Sequence, residues 1–171
     1  MNNKVSLFVA VFSLFTTFSF AQLRTPAASP GAKLMQTVGL TEVTLEYSRP
    51  AMRGRQIFGG QEALEQYGDI WRTGANSATK VTFSKAVTIG DTELKAGSYA
   101  ILSVPGEKEW KVMFYAFSTS DFTAYVDKTP DATIMLASAA AGRTVESFTI
   151  DVNNISNEGA TLDIMWENTL V

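Results

Sequence analysis

The chain has no cysteine and no histidine. Without cysteine there is no disulfide, no thiol nucleophile and no zinc–thiolate centre. Without histidine it lacks the usual general base near neutral pH, so a Ser-His-Asp triad, a Cys-His dyad and a His-ligated metal are all excluded. Charge is sparse too. Asp, Glu, Lys and Arg make up 18% of the residues, and the net charge of −3 argues against nucleic acid as a partner. Asp, Glu, Lys, Tyr and Ser remain as chemical groups. No metal or cofactor is expected. The one oxygen-rich run, Asp151 to Gly159, lacks the EF-hand spacing for Ca²⁺ and reads better as a hairpin turn.

The N-terminus has the form of a secretory signal peptide. Lys4 gives a positive start, Val5 to Phe20 is largely apolar, and Ser19-Phe20-Ala21 ends in the small residues a signal peptidase reads. Cleavage is expected after Ala21. A membrane anchor is the alternative, but the run is short and interrupted by Ser13, Thr16, Thr17 and Ser19. The absence of Cys excludes a lipid-modified lipoprotein. The mature protein is expected to be exported, periplasmic or extracellular, with no membrane span. It is also long enough to bury a core without disulfides.

After the signal peptide, residues 22–33 hold Pro26 and Pro30 and read as an extended leader. Residues 34–171 read as a single domain. A short first strand is expected at Met35 to Val38. Val43, Leu45 and Tyr47 alternate with Thr44, Glu46 and Ser48, a half-buried strand that stops at Arg49-Pro50. Gln61 to Gln66 is long enough for one or two helical turns. Further strands follow around Val81, Val87, Thr92, Tyr99 and Trp110 to Phe117, then at Ile134 to Leu136, Phe148 to Val152 and Leu162 to Glu167. The Tyr99–Val104 strand is apolar on both faces and is expected at the centre of a sheet. Eight or nine short strands with turns between them indicate an all-β fold, an antiparallel β-sandwich or barrel-like sandwich.

One stretch stands apart. Residues 46–79 hold four of the six arginines, Arg49, Arg53, Arg55 and Arg72, among Gly54, Gly59, Gly60, Gly68 and Gly74. Arginine binds carboxylate, phosphate or sulfate through a planar fork of donors. Asn76, Thr73 and Tyr67 add neutral donors and acceptors, and Trp71 and Tyr47 offer flat walls for a sugar or another planar ligand. The candidate ligand-binding residues are therefore Tyr47, Arg49, Arg55, Trp71, Arg72 and Asn76. The structural alternative is that these arginines bond backbone carbonyls or pair with Glu46, Asp69, Glu62 or Glu65. Trp71 has a core alternative of its own.

Several of these runs resemble the domain of unknown function 2911 family, secreted proteins of the Bacteroidetes type. They are Ser29-Pro30, Tyr47-Ser48-Arg49-Pro50, Gly54-Arg55-Gln56-Ile57-Phe58-Gly59, and Tyr67-Gly68-Asp69-Ile70-Trp71-Arg72-Thr73-Gly74-Ala75-Asn76. Ala96-Gly97-Ser98-Tyr99, the run from Ile101 to Gly106, Trp110 and Trp166-Glu167 belong to the same pattern. The resemblance implies secretion and a β-rich fold, and no reaction or catalytic residue. The family's Arg shortly after Asp131 is missing, since Ala132-Thr133-Ile134 follows.

Three functions fit these observations. The first is an exported binding protein for a small anionic or carbohydrate-like ligand, held in an Arg-rich pocket. The second is a hydrolase or lyase using Glu46 or Asp69 with Arg72. The third is a structural or interaction module of the cell envelope. Convergence of Arg49, Arg55, Arg72 and Asn76 on one cavity would favour the first.

Overall fold

The computed structural model describes residues 25–171, so the expected signal peptide and its expected cleavage point lie outside the described residues. Antiparallel pairing dominates, as short apolar-alternating runs joined by tight turns require. One sheet has six strands in the order β1 (Gly31–Val38), β2 (Thr41–Ser48), β5 (Thr79–Phe83), β8 (Gly97–Val104), β9 (Glu109–Ala116) and β10 (Ala132–Ala137). Two small pairs interrupt the chain order. β3 (Phe58–Gly59) lies parallel to β4 (Glu65–Gln66), and β6 (Val87–Ile89) forms a hairpin with β7 (Thr92–Leu94). The second layer is a two-stranded ribbon of β11 (Ala139–Asn153) and β12 (Thr161–Leu170). The molecule is an all-β, sandwich-like fold that does not close into a barrel. Among the described residues no helix is long and apolar enough to cross a membrane.

Period-two alternation decides what each strand buries. On β2, Val43, Leu45 and Tyr47 face the ribbon; on β9, Trp110, Val112 and Phe114 do so. The ribbon answers with Phe148, Ile150, Val152, Ile164 and Trp166. β8 is central, as expected. Tyr99 and Ile101 enter this inner core, while Ala100 and Leu102 enter a smaller outer cluster with Met113, Tyr115 and Tyr125. The connection from β9 to β10 covers that outer cluster and contains a 3₁₀ turn at Phe122–Tyr125.

Two expectations need correcting in detail. The run Gln61 to Gln66 makes no helical turn. Its amides are already committed: Leu64 N–H donates to the Gln56 carbonyl (3.1 Å) and Glu65 N–H to that of Ile57 (2.8 Å), which draws the segment into a short parallel pair. The first strand also begins earlier than Met35. Eight consecutive residues from Gly31 pair with β2, because partner availability outweighs the weak local signal of Gly31-Ala32-Lys33.

The ribbon has one unusual feature. Val171 and Ile164 exchange both backbone hydrogen bonds (2.7 and 2.9 Å), so the last strand reverses on itself between them. Glu167, at φ 56°, lies in that reversal. β11 bends in step through register shifts between Ala140 and Thr149, with Gly142 at φ 71°. The reversal carries Asn168 and Thr169 to the end of the sandwich.

The inner core is built around aromatic rings. Trp71 stacks on Trp166 (centroids 5.9 Å apart, 18° between planes), and Phe58 sits edge-on to Trp110 at 4.9 Å. Phe148 touches both Trp71 and Trp166. Because Trp166 packs against three of these rings and is 1% exposed, Trp166→Ala is expected to cost about 3–5 kcal/mol. Denaturant unfolding measures this, and a loss below about 1 kcal/mol would mean that the indole does not join the two layers.

Candidate functional site

A ribbon of two strands has an unpaired edge, and buried backbone groups need partners. The start of the arginine-rich stretch supplies them to β11. Met52 N–H donates to the Glu146 carbonyl (2.8 Å), and Phe148 N–H donates to that of Pro50 (2.9 Å). Arg49 Nε donates to the Phe148 carbonyl (2.9 Å), while its Nη2 reaches Thr149 Oγ1 (2.8 Å). The Tyr47 hydroxyl accepts from Ile150 N–H (3.0 Å) and donates to the Ile150 carbonyl (3.1 Å), acting as a peptide group would. Alternate residues of β11 are thus satisfied by residues 47–52, in place of a third strand.

The remaining candidates brace the entry of the chain and their own loop. Three successive leader carbonyls are taken: Ala28 by Arg53 Nη2 (3.2 Å), Ser29 by Asn76 Nδ2 (3.2 Å) and Pro30 by the Arg49 amide (2.9 Å). Asn76 also donates to Ser48 Oγ (3.2 Å). Arg55 clasps the carbonyls of Met52 (2.9 Å) and Ala51 (2.8 Å). Arg72 donates to the Asn76 carbonyl (3.2 Å) and lies over the Phe122 ring at 4.3 Å, a cation–π contact. Trp71 is buried, and its indole N–H donates to the Gly74 carbonyl (3.1 Å). Gly74, at φ 149°, is needed for close packing. A Cβ there would lie 3.0 Å from Thr79 Oγ1 and 3.2 Å from the Ser48 carbonyl. Thr73, a β-branched residue at φ 53°, is held in that strained conformation by a Ser103 hydroxyl contact (2.9 Å) in the buried interior.

The candidates therefore share a neighbourhood without lining a common cavity. An open pocket of about 270 Å³ beside the stretch is lined by Tyr47, Ser48, Ser77, Lys33 and Glu46 together with Gly31 and Ala32, and by none of the arginines. The expected carboxylate partners are not paired with arginine either. Among the described residues the ion pairs join Glu46 to Lys80 and, at 3.7 Å, to Lys33. The Lys80 hydrogen bond holds the Glu46 carboxyl below its ordinary range, with the Lys80 and Lys33 charges adding to it. Asp69 is exposed on the turn after β4.

A second cleft, of about 260 Å³, opens where the chain reverses. It is lined by Phe58, Tyr67, Trp110, the Gly106-Glu107 turn, Ser138 to Ala140, and Asn168-Thr169. Tyr67 is fixed there because its amide donates to the Gly59 carbonyl (2.8 Å) and the next amide, Gly68, to that of Pro105 (2.9 Å). Sequence reading missed Glu107, Asn168 and Thr169, which lie on turns and past a reversal that no local motif announces.

Glu65 stands between these regions. Burial pushes its carboxyl from an ordinary 4.5 up to about 7, against the pull of Arg72 and Arg55. Neither arginine reaches ion-pair distance of it among the described residues.

A family model described as a protein of unknown function (DUF2911) matches residues 29–171. No curated protein and no solved structure matches the chain.

The Glu65 geometry sets a pH dependence. The folded state holds this proton more tightly than the unfolded chain, so folding binds protons between pH about 4.5 and 7. Stability from this group therefore falls as pH rises through that window. Glu65→Gln should remove the slope and, after discounting for partial exposure, raise stability at pH 8 by about 1–2 kcal/mol. Urea unfolding at pH 5 and pH 8 measures this; parallel pH profiles for wild type and variant would contradict it.

Proposed function

The chain belongs to the DUF2911 family of proteins of unknown function, and from that premise and the geometry we propose that it is an exported, non-catalytic binding protein for a small polar ligand, anionic or carbohydrate-like. Its site is the cleft at Tyr67, and the arginine-rich stretch is the frame that builds that end of the sandwich. One observation carries this reading. Arg49, Arg55, Arg72 and Asn76 have committed side-chain donors to carbonyls, whereas Tyr67, Glu107, Asn168 and Thr169 make no side-chain hydrogen bond or ion pair among the described residues. Polar groups left open in a concave place are what a ligand site consists of. Export is supported by Lys4, the apolar run Val5 to Phe20 and the small residues before Gln22.

The hydrolase or lyase alternative has less support, since Glu46 is tied to two lysines and Arg72 to the Asn76 carbonyl and the Phe122 ring. Large exposed apolar residues besides Tyr67 are spread over strands, turns and connections: Met35, Leu40, Leu64, Val126, the neighbours Met135 and Leu136, and Ile155. Scattered exposure of this kind is normal for a soluble surface and gives the interaction-module reading no special weight.

The test is a thermal-shift screen on protein exported by its host, whose mass should begin at Gln22. The panel is sulfate, phosphate, citrate, uronic acids, neutral sugars and amino sugars. At least one class should raise the midpoint by mass action. The double variant Tyr67→Ala with Asn168→Ala should lose that rise from a near-normal baseline, while Arg55→Ala should keep it. If no class raises the midpoint, or the rise survives the double variant, the cleft is not the site.

A further inference from the structure

The charge and hydrogen-bonding capacity of the cleft go further than its existence. Apart from Tyr67, its one ionisable lining residue is Glu107, and no Lys or Arg lines it. Glu107 is exposed on the turn between β8 and β9. Its two oxygens are acceptors only, while the Asn168 amide, the Thr169 hydroxyl and the Tyr67 hydroxyl both donate and accept. Ser138 is excluded from this set, because its hydroxyl already donates to the Glu107 carbonyl (3.0 Å), fixing the two turns together.

An acceptor-only carboxylate suits a ligand that presents hydrogen-bond donors in pairs. Adjacent hydroxyls of a sugar do so, and so does an ammonium group. An anion would meet Glu107 at close range with no cation in the lining to offset it, and such like-charge juxtaposition is strongly disfavoured. Tyr67 adds a surface for the other half of a sugar. Tyr67 is 42% exposed, and the buried Phe58 and Trp110 also line the cleft. The C–H face of a pyranose is apolar and packs on an aromatic ring while its hydroxyls point to the rim. At about 260 Å³ the cleft falls just below the roughly 300–1,000 Å³ of drug-sized sites, which fits a single ring.

We propose that the cleft binds a sugar ring without negative charge, neutral or amine-bearing, with Glu107 accepting from a pair of hydroxyls or an ammonium and Tyr67 covering the ring's apolar face. This rests on the cleft being the ligand site. It separates the carbohydrate branch of the functional reading from the anionic one, because the arginines that first pointed to an anion line neither pocket.

Ligand-observed NMR titration compares methyl glucoside, glucosamine and glucuronate on wild type, Glu107→Gln and the Tyr67→Ala, Asn168→Ala double variant. Glucoside or glucosamine should bind at least about tenfold more tightly than glucuronate. Glu107→Gln should bring that ratio to within about threefold by removing the repelling charge. The double variant should bind none of the three. Glucuronate binding as tightly as the others, or a ratio unmoved by Glu107→Gln, overturns the assignment to sugars without negative charge but leaves the cleft standing if the double variant still abolishes binding. A ligand from the wider screen that needs the cleft and is not a sugar has the same consequence. Binding that survives the double variant, or no cleft-dependent ligand at all, overturns the site itself.

Discussion

The free edge of a two-stranded ribbon is the constraint on which this fold depends. The second layer of the sandwich has only β11 and β12, so the outward backbone groups of β11 need partners from elsewhere. They find them in one short run. Pro50 and Met52 use their main chain, Arg49 its guanidinium and Tyr47 its hydroxyl, and each meets an alternate residue of β11. A charge-assisted bond from arginine to a carbonyl is stronger than a neutral one, which suits a join made by side chains rather than by a third strand. Tyr47 is in β2, so the same contact also ties the ribbon to the six-stranded sheet across the aromatic core.

This constraint explains why a stretch that looks like a ligand site behaves as a frame. Arginine, asparagine and glycine at close spacing are what an anion pocket needs, and also what irregular backbone needs. Gly74 allows the chain to pass against the Ser48 carbonyl, Asn76 and Arg53 hold the leader, and Arg72 lies on Phe122 above the outer cluster. Commitment separates the two roles. Donors facing carbonyls at 2.8–3.2 Å are engaged by the fold, whereas the Asn168 and Glu107 side chains, which line the cleft, make no hydrogen bond among the described residues. The frame helps place that cleft, because the Tyr67 amide donates to the Gly59 carbonyl and the Gly68 amide to that of Pro105.

The strands were legible because alternation is local. Val43-Leu45-Tyr47 and Phe148-Ile150-Val152 show their buried faces in the order of residues alone, and so do Trp110 and Trp166. The short run Gln61 to Gln66 was not, since backbone partners rather than propensity decided its conformation. The importance of residues 46–79 could be read from composition, but the targets of their side chains could not, because Phe148, Thr149 and Ile150 lie about a hundred positions downstream. The cleft was hidden for the same reason in stronger form. Residues 67, 107 and 138 come from three separate turns or loops and meet Asn168 of β12 only because the last strand reverses near Glu167, a non-glycine residue with positive φ that gives no sequence signal.

Native-state hydrogen exchange at the Ile150 amide, compared between wild type and Tyr47→Phe, tests the edge-satisfying role most directly. The substitution keeps the ring against Phe148 and removes only the oxygen that serves both Ile150 groups. Protection of Ile150 should fall by about 1–3 kcal/mol, while the Ile101 amide at the centre of the large sheet should change only by the loss in global stability. Unchanged protection at Ile150 would mean that the Tyr47 hydroxyl does not satisfy the β11 edge there, which would contradict the account.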